Sequence, residues 1–380
     1  MFGFFKSLHF ISAVFIPFFI SWGKLQFSQV LLLQSLYLLF VFLLEVPTGA
    51  VADYLGRKVS ISLGALFGTI AAIVYASYPS FYVFLLGEFI FAIGTTLISG
   101  ADKALIYDSL KKMKLEKQSK KIFARWHSFK LTGLFIGPLI GSVIAVKLGL
   151  RYPMLLLSVP LAIAGIMALT LKEPKTKQKI ESRRYIDVLV KGVKYFVKHK
   201  ELKIIAFDFI VISIVSYYLI WTYQLLLQRA GVSIAYFGIV SSLLTLSQIV
   251  VINNYSRLEK LFGSKANFLT MSSLLLGVGL IIASLTSFVP LLIIAILISG
   301  AFGLGRRPIF DSYLNKFIPS RERATVISFI SMLSSFSLIV LNPIVGKAVD
   351  LSLTKSLLFL GAFAIVFSLI FRIKEEILID

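Results

Sequence analysis

Cysteine is absent from the 380 residues of this chain, which excludes disulfide bonds and thiolate metal sites. The three histidines, His9, His127 and His199, are scattered along the chain, so we expect no metal site. The sequence also lacks a phosphate-binding loop, a nucleophile elbow and a glycine-rich dinucleotide turn. We therefore expect neither an enzyme activity nor a bound cofactor.

Charged residues are scarce as well. They make up 15% of the chain, whereas hydrophobic residues make up 58% and the mean hydropathy is +0.90. Average soluble domains are about a quarter charged. A membrane-spanning helix needs about 20 apolar residues, so this length accommodates twelve spans with short connections. We predict an all-α polytopic membrane protein and expect the first span to be retained, not cleaved as a signal peptide.

The apolar runs fall into two groups of six around a long basic segment. This pattern predicts an N-terminal half at residues 1–171, a cytoplasmic linker at residues 172–203 and a C-terminal half at residues 204–380. The predicted spans are Ser7–Ser21, Ser28–Ala52, Val59–Ser77, Phe81–Gly100, Phe123–Val146, Tyr152–Leu171, Ile204–Leu227, Ser233–Tyr255, Ala266–Thr286, Val289–Gly305, Ala324–Val349 and Leu353–Phe371.

Apolar residues recur at helical spacing inside the basic linker and oppose lysines and arginines. The pattern predicts an amphipathic helix lying on the membrane surface. A helix of the calmodulin-target type is the alternative. The apolar positions are Tyr185, Val188, Leu189, Val193 and Phe196.

The net charge of +21 is unevenly distributed along the chain. With the N-terminus placed in the cytoplasm, Lys130 lies in a span and most other lysines and arginines fall in cytoplasmic connections. This asymmetry places both termini inside. It indicates attraction to an anionic inner leaflet and not to nucleic acid. The cations left in outer connections are Lys24, Lys147, Arg151, Arg229, Lys347 and Lys355.

The connection between spans 2 and 3 carries the pattern G-x-x-x-D-x-x-G-[RK]-[RK], formed by Gly49, Asp53, Gly56, Arg57 and Lys58. A glycine lets the backbone turn where a side chain would clash, and the two cations stay at the anionic lipid surface. At this place among the spans, the pattern resembles the signature loop of the major facilitator superfamily of transporters. The resemblance implies two pseudo-symmetric six-helix halves that rock about a central cavity, with this loop as an inner latch.

Two further stretches resemble the drug-exporter branch of that superfamily. They are residues 45–49, with the sequence EVPTG, and residues 99–108, which begin with SGAD. Many proton-coupled members carry an arginine in span 4, and Ile90 stands in its place here. We expect Asp102 to pair with Arg57 and hold the inner gate shut.

Span 5 contains Gly133, Gly137, Pro138 and Gly141, which resemble the G-x-x-x-G-P-x-x-G-G pattern of exchangers except that Ser142 replaces the last glycine. Glycines four residues apart allow close helix contact and a proline bends a helix. The resemblance implies a hinge in span 5, and plain helix packing is the alternative.

The predicted spans contain few charged residues, among them Glu45, Glu88, Lys130 and Asp208. A charge at the membrane centre costs about 2.5–3.5 kcal/mol on insertion scales. We interpret the three acids as proton-coupling candidates, with structural hydrogen bonding as the alternative. Asp208 is expected near the cytoplasmic mouth as a gate residue. Lys130 is expected to pair with an acid inside the bundle or to extend towards the inner surface.

Polar and aromatic residues share a face on two spans. Gln34, Tyr37 and Glu45 line up on span 2, and Tyr217, Trp221 and Gln224 line up on span 7. Such groups suit an aromatic or amphipathic ligand, so we predict that they line the substrate cavity, together with Lys130 of span 5. The alternative for the span 7 group is anchoring at the membrane interface.

Together these features predict a monomeric secondary transporter in a bacterial or archaeal inner membrane. The favoured function is proton-coupled export of small lipophilic or cationic compounds. An uptake carrier or a lipid flippase of the same fold is the alternative within transport. A non-transporting receptor or scaffold is the alternative from a different class.

Overall fold

A computed structural model describes residues 1–174, 185–319 and 322–378. Within these ranges the regular elements are all helices. Ten of them are long and apolar enough to cross a membrane, a bent pair forms an eleventh, and a shorter apolar helix of 16 residues stands at the tenth predicted position. The all-α prediction is therefore confirmed, and twelve apolar segments stand where twelve spans are predicted.

The spans extend further at several ends than their apolar runs. After the bent first span, their bounds are Phe27–Leu55, Arg57–Tyr75, Phe81–Ile98, Ser119–Leu148, Tyr152–Leu169, Lys200–Arg229, Phe237–Leu261, Lys265–Leu285, Val289–Leu304, Arg323–Leu351 and Leu353–Ile370. Three further helices lie between spans, at Ala101–Lys112, Tyr185–Lys198 and Arg307–Phe317. We number the spans 1 to 12 in chain order.

Span 1 is broken and not the continuous helix expected at Ser7–Ser21. It consists of the pair Phe2–Ala13 and Phe15–Trp22, which meet at an angle of 63°. Pro17 lacks the N–H group that a continuous helix would bond four residues back, which favours a break in this region. The break exposes backbone groups that a neighbouring helix must approach closely.

Span 5 provides that neighbour through its small residues. A Cβ on Gly133 would lie 2.6 Å from the Phe4 carbonyl oxygen, and a Cβ on Gly141 would lie 1.7 Å from the Phe10 carbonyl oxygen. Gly137 faces the His9 backbone in the same way. Span 5 itself runs through Pro138 as one helix. The glycines therefore serve the packing of span 1, and a hinge in span 5 stays a prediction.

The chain divides into two compact units, one formed by residues 1–185 with 234–242 and the other by residues 186–233 with 243–380. In the first unit, span 3 packs against spans 4 and 6. In the second unit, span 9 packs against spans 10 and 12. The third span of each six-helix group is thus the packing centre of its own unit.

Two positive-φ glycines shape the connections of the first unit. Gly56 has φ +94° and separates spans 2 and 3, and Gly100 has φ +77° and separates span 4 from the 101–112 helix. Gly49 and Asp53 lie in the last two turns of span 2. We call the end of the first unit that carries these two connections its basic end. In the second unit, the corresponding connections are residues 262–264 and 305–306, and they mark its basic end.

The helix Tyr185–Lys198 stands where the amphipathic helix is predicted. It packs against the connection that follows span 10, because the Tyr195 hydroxyl donates to the Phe317 carbonyl oxygen at 2.8 Å. The Phe196 and Phe329 rings meet edge to face at 5.3 Å. The side chains of residues 185–189 lie outside the described part of the chain. The apolar side of this helix is thus at least partly covered by protein.

We expect a Gly141→Ala variant to lower the apparent melting temperature in detergent. The new Cβ would collide with a backbone carbonyl that cannot rotate away, and overpacking of this kind costs about 1–3 kcal/mol or more. Gly68→Ala is the matched control, because its Cβ would meet only Leu161 methyl carbons at 3.5 Å or more. Equal melting temperatures for the two variants would contradict the packing of span 1 on span 5.

Candidate functional site

A cavity of about 160 Å³ lies inside the first unit, between spans 1, 2, 3, 4 and 6. Most of its wall is aromatic or aliphatic, and Glu88 is the acidic residue among its lining groups. This composition suits a small ligand with an apolar body and few polar contacts. The lining residues are His9, Ile11, Phe15, Gln34, Tyr37, Ala72, Tyr75, Glu88, Phe91, Met154 and Leu157.

Glu88 is held at the cavity wall by neutral donors. Its side chain is buried, with 3% exposed, and Gln34 Nε2 donates to Glu88 Oε1 at 2.7 Å. The Tyr75 hydroxyl forms a second side-chain hydrogen bond with the same carboxyl group. Glu88 lies seven residues after Phe81, the first residue of span 4, which is about 10 Å along the helix. The structure therefore brings together three spans around one buried acid.

Tyr37 lies on the same wall and is fixed by span 4. Its hydroxyl donates to Thr95 Oγ1 at 3.1 Å, and its ring lies 6.1 Å from that of Phe91. Gln34 and Tyr37 are thus placed in one cavity, at the positions that the pattern on span 2 predicts. Tyr75 is a site residue that the sequence did not reveal, because a tyrosine at the end of a span is usually read as an interface anchor.

An aromatic cluster packs against Tyr75, one of the cavity-lining residues. The Phe84 ring lies 5.1 Å from Phe19, 5.6 Å from Phe18 and 6.3 Å from Tyr75. Trp22 stacks on Phe18 at 4.9 Å. Phe18, Phe19 and Phe84 are fully buried. Tyr75, which bonds to Glu88, is thus held by this cluster at the cavity wall.

Glu45 occupies a different environment from Glu88. It lies eleven residues after Gln34 on span 2, about 16 Å along the helix, and its residue surface is exposed. Within the described ranges it makes no side-chain hydrogen bond or ion pair. Gln34 and Glu45 are therefore well separated, and the cavity around Glu88 does not include Glu45.

The role of Asp208 as a gate residue stays a prediction, but its side chain is not open to water as its position near the start of span 7 led us to expect. It is buried and pairs with Arg306, whose Nη2 lies 2.7 Å from Asp208 Oδ2. Arg306 also donates to Ser273 and lies over the Phe310 ring at 4.8 Å. Arg306 follows span 10 in a basic stretch of the sequence, yet only 2% of this residue is exposed. The acid of span 7 and the arginine that follows span 10 therefore neutralise each other inside the second unit.

The signature loop makes contacts that differ from those expected. Arg57 forms an ion pair with Asp108 and not with Asp102. Asp102 instead lies 3.7 Å from the Lys6 ammonium group. Gly100 turns the chain before Asp102, so the 101–112 helix carries Asp108, two turns further along, to the loop. The predicted Asp102–Arg57 latch is therefore wrong.

An acid that follows span 6 caps the first turn of span 3. The Glu173 carboxylate accepts hydrogen bonds from the backbone N–H groups of Arg57, at 2.7 Å, and Lys58, at 3.1 Å. The first N–H groups of a helix have no partner within the helix, and an anion is favourable there. Glu173 thus fixes the turn that starts the third helix of the unit.

The second unit repeats this arrangement. Glu375, which follows span 12, accepts hydrogen bonds from the backbone N–H groups of Lys265, at 3.2 Å, and Ala266, at 2.6 Å. These residues begin span 9, the third span of the second group. The two caps were not predicted, because an acid outside the spans gives no sequence signal for the helix end that it contacts.

Lys130 lies over the Trp126 ring at 6.0 Å and is partly buried. Its expected ion pair within the bundle is not formed with any acid that the structure describes. A cation over the face of a tryptophan is stabilised by the ring quadrupole. This contact gives the ammonium group an aromatic partner.

The span 7 residues lie together with an asparagine from span 11. Asn342 Nδ2 approaches the Tyr217 hydroxyl at 3.5 Å, and the Tyr217 and Trp221 rings are 5.9 Å apart. Gln224 donates to the Tyr223 hydroxyl at 3.0 Å. The Asn342 side chain is fully buried in an apolar stretch. An isolated Asn-Pro pair inside a predicted span was the signal that would have identified it.

The sequence model of the Major Facilitator Superfamily matches residues 3–253 and, in a second match, residues 209–376. The chain is also similar to an uncharacterized MFS-type transporter, YxaM, of Bacillus subtilis (strain 168). The two are 26% identical over 330 residues, which cover 84% of this chain and 80% of the relative.

Solved transporter structures share the fold. The nucleoside transporter NupG has a TM-score of 0.79 at 16% identity, covering 97% of this chain and 96% of that structure. A POT family transporter in complex with 5-aminolevulinic acid has a TM-score of 0.75 at 17% identity, covering 100% and 95%. A bacterial homologue of the human lysosomal transporter Spinster has a TM-score of 0.74 at 15% identity, covering 98% and 94%. At these identities the likeness concerns the fold alone.

We expect Arg306→Met to destabilise the protein strongly, because it leaves the Asp208 charge buried without its partner. Breaking a buried ion pair from one side costs about 3–5 kcal/mol. The double variant Asp208→Asn/Arg306→Met should recover most of the loss, as measured by the apparent melting temperature in detergent. Lys6→Met is the control: its pair is partly exposed, and the expected loss is about 1 kcal/mol or less. Equal losses in the Arg306 and Lys6 variants would contradict the buried pair.

The Glu375 cap predicts an acid-dependent loss of stability. Although burial acts in the opposite direction, hydrogen bonds from the Ala266 and Lys265 backbone hold the pKa of Glu375 below its ordinary value of 4.5. Its contribution is therefore present above about pH 4.5 and is lost as the pH falls through the lower folded-state value. Glu375→Gln should be less stable than the native chain at neutral pH, and the difference should shrink in acid. Glu376→Gln, at an exposed neighbour, should show no such convergence.

Proposed function

We propose a direction, a coupling ion and a substrate class for this chain, which belongs to the major facilitator superfamily of transporters. Its helices, family and fold make it a multi-pass membrane protein with the architecture of a secondary transporter. The proposed function is proton-coupled export of small lipophilic or cationic compounds. The proposed setting is an inner cell membrane with both termini in the cytoplasm and the protein acting as a monomer.

The observation that carries the proposal is the single buried carboxyl group of Glu88 in an otherwise largely apolar cavity. An ionised carboxylate in such a place is costly unless a proton or a cation neutralises it. Its hydrogen-bond partners, Gln34 and Tyr75, are neutral, so they do not neutralise the charge of the carboxylate. A proton and a cationic compound would therefore compete for the same group, which is the requirement for exchange.

The aromatic wall favours a lipophilic or cationic substrate over a sugar or an anion. Phe15, Tyr37 and Phe91 line the cavity beside Glu88. Aromatic faces attract organic cations, by about 0.5–2 kcal/mol for each contact according to its exposure. The outward direction rests on the resemblance of residues 45–49 and 99–108 to the drug-exporter branch, and Glu45 remains a second proton-coupling candidate on the same span as Gln34.

Uptake of a polar solute is the second candidate. In the second unit, Asn342 and Tyr217 lie together and Gln224 follows two turns further along span 7, and these amide and hydroxyl groups suit such a ligand. Proteins of the same fold include a nucleoside transporter and a transporter bound to 5-aminolevulinic acid. If this candidate is right, proton movement will accompany nucleosides or amino acids and not lipophilic cations.

We expect Glu88→Gln to abolish proton movement evoked by lipophilic cations in liposomes that contain a trapped pH-sensitive dye. The amide keeps the hydrogen-bonding shape but can neither take up a proton nor balance a cation. Glu45→Gln, measured in parallel, separates the two candidate acids. Glu376→Gln is the control, because it removes an exposed acid outside the spans.

Two outcomes would contradict parts of this proposal. Cation flux without proton movement in the native protein would reject proton coupling but keep transport. Undiminished coupled exchange in Glu88→Gln would reject Glu88 as the shared site. Direction is tested separately in intact cells, where export predicts lower accumulation of the compound when the transporter is produced.

A further inference from the structure

A groove of about 270 Å³ opens between spans 7 and 12 at the basic end of the second unit. It lies apart from the Glu88 cavity and from the contact between Asn342 and Tyr217. Its lining combines two cations with aromatic rings. The lining residues are Lys200, Lys203, Ile204, Phe207, Asp208, Phe367 and Phe371.

The charge in this groove is positive. Lys200 and Lys203 are both exposed and lie three residues apart, on one face of the first turn of span 7. Asp208 also lines the groove, but its carboxylate is paired with Arg306 at 2.7 Å. The unpaired N–H groups of the first helical turn add to the attraction for an anion. The groove therefore presents two ammonium groups that the nearby acid does not neutralise.

An aromatic stripe leads from this groove along span 12. Phe359, Phe363, Phe367 and Phe371 recur every four residues, and successive rings stack at 6.3, 6.0 and 5.0 Å. Phe207 of span 7 adds a ring 5.6 Å from Phe367. Phe359 is 69% exposed and Phe371 is 52% exposed, so much of the stripe faces the surroundings of the unit. Because these helices cross a membrane, the surroundings of the stripe are lipid chains.

We propose that this groove is a binding site for one anionic phospholipid. Its phosphate lies between Lys200 and Lys203, and an acyl chain packs along the phenylalanine stripe. Lipid tails are as apolar as the stripe, so the rings alone give no preference over bulk lipid. Selectivity comes from the two lysines, since juxtamembrane cations attract anionic head groups. The flat stacked rings add a regular surface against which a chain can lie straight.

A second groove lacks both of these features. It lies between spans 3 and 6 of the first unit and has a single cation, Lys58, at its basic end. The backbone of Lys58 is already bonded to the Glu173 carboxylate. Its walls are aliphatic and small, with no stacked rings among the lining residues. We therefore assign the selective site to spans 7 and 12.

The absence of cysteine allows a local test on the full-length protein. A single Ile370→Cys substitution, at a residue 70% exposed beside Phe371, carries a fluorophore. Brominated phosphatidylglycerol or brominated phosphatidylcholine is then titrated into otherwise unlabelled phosphatidylcholine liposomes. We expect the anionic lipid to quench at a lower mole fraction than the neutral one. In the Lys200→Gln/Lys203→Gln background, half-maximal quenching should require roughly thirtyfold more phosphatidylglycerol.

The control variant removes two lysines at a distance from the groove. Lys347 and Lys355 are exposed at the other end of spans 11 and 12, so Lys347→Gln/Lys355→Gln should leave the preference unchanged. Lys200→Arg/Lys203→Arg should also retain it, which keeps the test valid if the glutamine pair folds poorly. Equal quenching by the two lipids, or an equal loss in the control pair, would overturn the site and leave only general attraction to a basic protein.

Discussion

An ionised group inside a membrane needs a partner within reach, because the hydrocarbon offers none. The chain carries few such groups, and the structure provides them with different kinds of partner. Asp208 and Arg306 neutralise each other, whereas Glu88 receives hydrogen bonds from the neutral groups of Gln34 and Tyr75. Whether the partner is charged or neutral decides what the acid can do. A permanently compensated charge holds helices together, and an acid with only neutral partners keeps its own charge state open to change.

The same constraint explains why the two units resemble each other at their basic ends. In each unit an acid beyond the sixth span caps the first turn of the third, through Glu173 in one case and Glu375 in the other. In each unit an ion pair also joins the first span to the segment after the fourth. The pair is Lys6–Asp102 in the first unit and Asp208–Arg306 in the second, with the signs exchanged. A contact of opposite sign at the same place fulfils the same electrostatic need, so the two units make the same kind of contact with different residues.

The sequence predicts those parts of the fold that depend on local composition. Long apolar runs, the loop with Gly56 and the linker helix all follow from period, length and turn chemistry. The partners of charged residues do not follow from local composition, because the sequence offers Arg57 several acids with which it could pair. The helix that begins after Gly100 brings Asp108 to Arg57. The break in span 1 was also missed. An apolar run with one proline reads as a helix, and only close approach by Gly133, Gly137 and Gly141 provides neighbours for the broken backbone.

The residues of the candidate site could be predicted from the sequence, but their arrangement could not. Gln34, Tyr37 and Glu88 are polar residues in apolar runs, so each stands out in the sequence, but their convergence depends on how spans 2 and 4 pack. Once that packing is known, the three acids can be distinguished as candidates for proton coupling. Asp208 cannot release its charge without stranding Arg306, and Glu45 is exposed and far from the cavity. Glu88 alone of the three combines burial, neutral hydrogen-bond partners and an adjoining cavity, and for that reason we favour it as the group at which a proton and a substrate exchange.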